Sequence, residues 1–369
     1  MFSELMKKVE VQLSSELPFV IYGKPNSREI SAILQKDNQL HHTLDFSEKG
    51  FVFAPFDAFG PVILIPLDEQ YKAEFADTSK PDFEVATIPV ENVEERKSHL
   101  NLVEKGVQQI EKGEFDKVVL SRKMEIDCSD SPLKIFQRLI SRYKSAFCYL
   151  WYHPKIGMWL GATPEILLRT ENNRLTTMSL AGTQSYVKHE NPEWGQKEVH
   201  EQRMVTDYIA DALKDQVANL QVSGVESVRA GNLWHLRTRL TGVLRKNLDN
   251  VIKALHPTPA ICGIPLPSAR KFINEHENYN REYYTGYLGE LNFKQEIERT
   301  SNSKNQENKS YRAIISKTEL FVNLRCMQLV DGKAFVYVGG GITKDSIPEN
   351  EWQETIVKSR TILGILNKG

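Results

Sequence analysis

The chain has 369 residues, enough for two or three average domains or for one large domain organised by a broad sheet. Hydrophobic residues at 40% and charged residues at 26% exclude a disordered chain, and no apolar run approaches the roughly 18 residues of a membrane span. With 47 Lys plus Arg against 48 Asp plus Glu, the net charge of -1 offers no basic field for a phosphate backbone, so neither a nucleic acid nor a membrane is an expected partner.

The start, MFSELMKKVEVQL, lacks a signal-peptide h-region and a small-residue cleavage site. Cys128, Cys148, Cys262 and Cys326 form no C-x-x-C pair, so the expectation is a cytoplasmic protein with buried thiols. LPFVIYG, GFVFAPF and PVILIP read as short strands among helices, without a catalytic cluster. Residues 68 to 98 are polar and broken by two prolines, which predicts a long surface connection before a helix near 94 to 112. KVVLSRKMEI, AFCYLWYH, GMWLGATPEILLRT and RLTTMSLAGT then follow as an antiparallel meander. ELFVNLRCMQLV, the Asp331-Gly332 turn and KAFVYVGGGI predict a hairpin. Residues 296 to 310 predict a mobile polar loop between two strands. Helices are expected at about 132 to 143, 195 to 215, 248 to 255, 266 to 276 and 349 to 366. Strands in blocks with helices between them favour an α+β layered fold, and no internal repeat or linker divides the chain.

Two of these helices carry acids on their apolar faces. At 100° per residue, Glu198, Glu201, Val205, Ile209 and Ala212 share one stripe, and Glu351, Glu354, Lys358, Ile362 and Ile365 share another. Ser346 with Glu349 predicts a capping-box start for the second helix. Inward carboxylates require compensation, and a hard divalent cation such as Mg²⁺ suits a ligand set made of oxygens alone. Pairing with Arg203, Lys358 or another base is the alternative reading.

Lys117 begins the strand KVVLSR and Glu165 ends the turn GATPE. If both face one pocket, burial lowers the amine pKa and raises that of the acid, which suits a base that activates water and an acid that protonates a leaving hydroxyl; surface ion pairing is the plainer reading of each. Gly339 to Gly341 could let an anion approach the backbone, or could form a plain turn. Arg325, inside FVNLRCMQL, needs a carboxylate from protein or ligand. His235 and His256 read first as core histidines. No zinc spacing, P-loop or nucleophile elbow occurs. The residues alone reach a Mg²⁺-dependent enzyme acting on a small anion.

FDKVVLSRK, GATPEILL, SLAGT, VHEQRMV, LWHL, LHPTPAICGIP, REYYTGYLG, VNLRC, YVGGGI and EWQETIVKS, in that order, resemble the chorismate-utilising enzymes across residues 95 to 366. The likeness is specifically to isochorismate synthases of menaquinone or siderophore synthesis. It implies two large, mainly antiparallel sheets packed together and flanked by helices, with residues 1 to 94 part of one domain spanning 1 to 369. It further implies Lys117 as general base for attack of water at C2 of chorismate and Glu165 as general acid for the C4 hydroxyl. Glu201 and Glu354 match metal ligands, and Glu198 and Glu351 match acids that hold Mg²⁺ directly or through water. Arg325 and Tyr284 match residues that grip the enolpyruvyl carboxylate. The backbone at Gly182, Gly339 and Gly341 and the ammonium of Lys358 complete the anion site, and His235 matches a histidine beside the ring.

The resemblance also ranks the subfamilies. Ammonia-using relatives carry Gln where Lys117 stands, and Thr or Lys where Ala181 stands, so water is the implied nucleophile, in a monomer without a glutaminase partner. Salicylate synthases, which go on to eliminate pyruvate, tend to carry Thr at the position of Ala260, although they share Tyr284 and Leu324; they are the alternative. Arg203 departs from a siderophore-type pattern with a second Glu there, which puts only an accessory acid in doubt.

Overall fold

A computed structural model describes residues 1–76, 92–186, 191–230, 233–298 and 312–366. Its strands form one nine-stranded and one ten-stranded sheet, with every pairing between neighbours antiparallel. The first sheet runs from Gly263–Ile264 through Lys117–Asp127, Lys333–Ile342, Cys326–Val330, Gly157–Thr163, Phe147–His153, Phe19–Gly23 and Glu29–Leu34 to Glu69–Glu74. The second runs from Val217–Val222 through Leu233–Leu244, Arg174–Ser185, Ile166–Glu171, Arg312–Val322, Tyr287–Glu298, Gly50–Ala54 and Ile63–Pro66 to His41–His42, and its tenth strand, Glu226–Ala230, also pairs with Leu233–Leu244. The expected pair of large antiparallel sheets is therefore present, and strands from the first hundred residues extend both of them.

Between the sheets lies an aromatic core that includes Tyr22, Phe51, Phe53, Phe147, Trp151, Trp159 and Phe321. Strands covered on both faces cannot alternate apolar with polar residues, which is why Phe19–Gly23 is buried at every position. Seven helices among the described residues cover the outer faces: α1 Phe2–Ser14, α2 Val93–Glu111, α3 Pro132–Arg142, α4 Gln196–Leu213, α5 Leu248–Leu255, α6 Leu266–His276 and α7 Pro348–Leu363. Helices α1 and α3 pack on the first sheet, for example through Val9 and Phe136, while α4 and α5 pack on the second through Val205, Ile209 and Ile252. All four cysteines are buried and free, as expected. Among the described residues, no helix is long and apolar enough to cross a membrane.

Several expectations need correction. Within the supposed connection 68 to 98, Glu69–Glu74 is an edge strand paired with Glu29–Leu34, and its alternating exposed charges disguise it in the sequence. Residues 77–91 and 299–311 lie outside the described residues, whereas 296 to 298 belong to Tyr287–Glu298 instead of a loop. The four-strand meander is divided: Lys117–Asp127 pairs with Lys333–Ile342, Phe147–His153 with Gly157–Thr163, and Ile166–Glu171 with Arg174–Ser185 in the other sheet. Arg325 lies between strands, with φ 49°, where the chain leaves the second sheet at Val322 and enters the first at Cys326. Gly339 to Gly341 form no turn; they pair in register with Ser121, Leu120 and Val119. The capping box is absent: Ile347 is the N-cap of α7, and Ser346 Oγ accepts from Thr343 N at 3.1 Å.

Candidate active site

Two places where the chain changes sheet lie side by side. The first is Pro164–Glu165, between Gly157–Thr163 and Ile166–Glu171, and the second is Asn323–Arg325. They are stitched together by Val322 N donating to Glu165 O at 3.0 Å and Ala162 N donating to Arg325 O at 3.1 Å. Two non-adjacent charged residues are thereby brought to the wall of one cleft of about 1080 Å³ including its mouth, the size of a small-molecule site.

Glu165 is 5% exposed. Burial raises its pKa to about 7 against the opposing fields of Lys117, Arg325 and Lys358, so near neutrality it holds a proton much of the time. Lys117, the first residue of its strand, has no exposed surface, and its Nζ donates to Glu201 Oε1 at 2.7 Å. Burial pushes the Glu201 carboxyl up, but the Lys117 ammonium, with Lys358 and Lys197 beyond it, outweighs this and leaves it below its ordinary value.

Arg325 is buried, which pulls its pKa down to about 10, so it remains charged at neutral pH. Its Nη2 lies 3.0 Å from His235 Nε2. On the other side of the ring, His235 Nδ1 sits 3.2 Å from Gly182 O. Since a guanidinium only donates and a carbonyl only accepts, the ring is the neutral tautomer with its proton on Nδ1. Burial, with the charges of Arg325 and Lys358, holds the His235 pKa down at about 3. Gly182 stands at a bulge with φ 68°, where a Cβ would come within 3.1 Å of Glu198 Cβ, so glycine lets α4 close on this strand. Buried Tyr284 stacks on Tyr337 with ring centroids 5.3 Å apart, and a Cβ on Gly339 would lie 3.1 Å from its hydroxyl.

Helices α4 and α7 carry their acids to the same glycine strand. A Cβ on Gly341 would lie 2.6 Å from Glu201 Oε1, and one on Gly340 would lie 3.5 Å from Glu354 Oε1 and 3.6 Å from Glu351 Oε2. Glu165, Gly182, Glu198, Glu201, His235 and Tyr284 line the cleft, as do Arg325, Gly339, Gly341, Glu354 and Lys358. Behind this lining, Lys117 holds Glu201, and Glu351 holds the lining residue Lys197. The stretches expected to carry chemistry thus meet at one place.

Each of three acids faces a lysine: Glu201 meets Lys117, Glu351 meets Lys197 at 2.6 Å, and Glu354 meets Lys358 at 2.6 Å. Lys358 Nζ also donates to Gly339 O at 3.0 Å. Pairing with bases, the alternative reading of these acids, is therefore what the side chains adopt, and no three metal-ligating side chains converge on a common point among the described residues. The chemistry of the set still fits a hard cation: oxygen donors from two helices open onto bare backbone at Gly340 and Gly341. Arg203 takes no part, being exposed and 3.6 Å from Asp207. His256 is a core histidine, with Nε2 3.0 Å from Pro55 O.

Sequence reasoning passed over Lys197, whose only signal was its place beside Glu198 in the first turn of α4. It also passed over a buried clamp behind the wall. Arg281 donates to Glu277, to Val119 O at 2.7 Å and to Ile261 O at 2.9 Å, while Glu277 Oε1 accepts from Ser121 N and Oγ. This clamp ties together segments that line the cleft at Val119 and Ile261.

A family model described as chorismate binding enzyme matches residues 66–300, and another with the same description matches 314–364. Isochorismate synthase EntC of Escherichia coli is 29% identical over 265 residues, covering 68% of this chain and 62% of that protein. Isochorismate synthase MenF of the same organism is 29% identical over 297 residues, covering 77% and 64%. The matched span is thus less than two thirds of either relative's length. Isochorismate synthase DhbC of Bacillus subtilis is 27% identical over 301 residues, covering 75% and 69%. Among solved structures, the putative 2,3-dihydroxybenzoate-specific isochorismate synthase DhbC of Bacillus anthracis superposes with TM-score 0.75 at 22% identity, covering 96% of this chain and 98% of that one. The menaquinone-specific isochorismate synthase MenF of Escherichia coli gives 0.74 at 21%, covering 95% and 89%. The fold is shared with both structures, and from the match of its sequence over more than half its length the chain belongs to the family of chorismate-binding enzymes.

Proposed function

We propose that this protein is an isochorismate synthase, adding water at C2 of chorismate and expelling the C4 hydroxyl. The observation that carries this reading is Glu165 in the cleft wall, 5% exposed with a pKa pushed up to about 7 that suits proton donation, with Lys117 behind that wall, near enough for its charge to act on Glu165. Lys117 takes a proton from the attacking water, Glu165 gives one to the departing oxygen, and one water enters for each that leaves. An amine at Lys117, where ammonia-using relatives resemble one another in having Gln, favours water as nucleophile. Ala260 on the cleft wall favours stopping at isochorismate.

Arg325, aimed by His235, and Tyr284 grip the enolpyruvyl carboxylate, with Lys358 and the backbone at Gly182, Gly339 and Gly341 completing the anion site. Glu201 and Glu354, supported by Glu198 and Glu351, would hold Mg²⁺, which when bound supplies a positive anchor for the ring carboxylate. Lys117 Nζ donates to Glu201 Oε1 at 2.7 Å, so acting on the attacking water requires the amine to leave that contact. We read the protein as a cytoplasmic, single-domain monomer of menaquinone or siderophore synthesis, acting without a glutaminase.

Product analysis tests the reading. Purified protein with chorismate and Mg²⁺ should form isochorismate at a rate indifferent to added ammonium. Salicylate with pyruvate would establish a salicylate synthase instead, consistent with Tyr284 and Leu324 on the cleft wall; an amino product would overturn water as the nucleophile.

A further inference from the structure

Of the three lysines that hold acids in the cleft, Lys197 stands apart. Lys117 is wholly buried, and Lys358 also bonds the backbone of Gly339. Lys197 sits at the mouth on the first turn of α4, its side chain 31% exposed, and its one hydrogen bond among the described residues goes to Glu351 Oε1. Glu351 is 2% exposed and turns its other oxygen toward Gly340, beside Glu354. A buried carboxylate next to a second one needs a positive partner, and Lys197 supplies it. A long, flexible stem reaching in from the rim can also leave.

Resting on the divalent-cation reading above, we infer that Lys197 is an internal counter-ion of the metal site: its ammonium occupies Glu351 in place of the metal, and metal entry and Lys197 departure are one exchange. Cation binding must then displace an ion pair already made, so the ligand-free protein binds the metal more weakly than its four carboxylates alone would. The same pair keeps Glu351 and Glu354 from repelling each other while the site waits. No covalent step is involved; one positive partner replaces another.

The test is direct binding of Mn²⁺ to the full, ligand-free chain, followed by electron paramagnetic resonance, with no turnover in the readout. Lys197→Met should tighten binding about tenfold, the scale of one charge-assisted hydrogen bond. In a Glu351→Gln background the same substitution should change affinity by less than about twofold, because there is no carboxylate left to compete for. Lys197→Gln serves as the second variant should Lys197→Met fold poorly. Equal tightening in both backgrounds would show a charge acting at a distance and overturn the exchange. So would unchanged affinity in Lys197→Met, although Mn²⁺ binding by the wild type would leave the cation reading standing. If neither the wild type nor Lys197→Met binds Mn²⁺, the cation reading itself fails and takes the exchange with it.

Discussion

Arg325 Nη2 donates to His235 Nε2 at 3.0 Å, and the imidazole can accept because its own proton lies toward Gly182 O at 3.2 Å. The histidine thus works as an oriented acceptor whose basicity is suppressed by burial, and it holds the guanidinium toward the cleft. Replacing Arg325 with Ala should raise KM for chorismate more than it lowers kcat, with kcat/KM falling about 10- to 100-fold for the lost charge-assisted bonds. His235→Leu should move KM in the same direction by less, and His235→Gln, which restores an acceptor, should recover part of the loss. Steady-state kinetics of the three variants decides this, and a kcat defect with unchanged KM would contradict it.

Glu165 gives the clearest pH signature. Its folded pKa of about 7 lies above the ordinary carboxyl value because burial disfavours the charged form. A general acid must be protonated, so activity should fall as pH rises through about 7, and Glu165→Gln should lose that limb along with about 10²–10⁴-fold in kcat. The linkage has the same sign. The stability this group contributes is fully present below its unfolded pKa of about 4.5 and is lost as pH rises through about 7. Thermal unfolding of wild type and Glu165→Gln should therefore agree most closely on the acid side of that window and diverge toward alkaline pH, where only the wild type carries the buried charge.

The pair Lys117–Glu201 links the proposed base to the proposed metal site. Glu201→Gln should abolish the Mg²⁺ requirement together with turnover while leaving the chain folded, since one ligand is removed and the acids opposite no longer share it. The variant should also melt at a lower temperature than the wild type, because a fully buried amine loses its carboxylate partner; breaking such pairs costs about 3–5 kcal/mol. Retained Mg²⁺-dependent activity would contradict the assignment. Lys117→Ala should lose about 10²–10⁴-fold in kcat.

Glycine at position 341 is required by the side chains that face it. An added methyl group would fall 2.6 Å from Glu201 Oε1 and 3.0 Å from Lys117 Cε, so Gly341→Ala should spread that pair apart. Circular dichroism should show the fold intact while activity drops. Full activity in Gly341→Ala would mean that this pair tolerates displacement and is not the reacting geometry.

How much of this was legible before the structure depended on the range of the interaction. The acids of α4 and α7 were readable because helical period alone turns them inward, and the Asp331-Gly332 hairpin because its turn chemistry is local. The roles of Lys117 and Glu165 came from family resemblance, since each stands alone at a strand end and nothing nearby in sequence shows what it will face. The division of the meander between two sheets and the position of Arg325 at a crossing were illegible, because partners such as Gly161 for Cys326 lie far away in the chain. Residues 69 to 74 were misread because an edge strand's charges resemble those of a loop. Lys197 was passed over because a lysine in a helix's first turn looks like ordinary surface until its partner, Glu351 on another helix, is known.

The most direct measurement of the central claim is the origin of the product's oxygen. With chorismate and Mg²⁺ in oxygen-18 water, the purified protein should release isochorismate carrying solvent oxygen at C2, as expected if Lys117 activates water and Glu165 expels the C4 hydroxyl. Isochorismate whose C2 oxygen is unlabelled, or no conversion of chorismate by a folded, Mg²⁺-supplied preparation, would contradict the account.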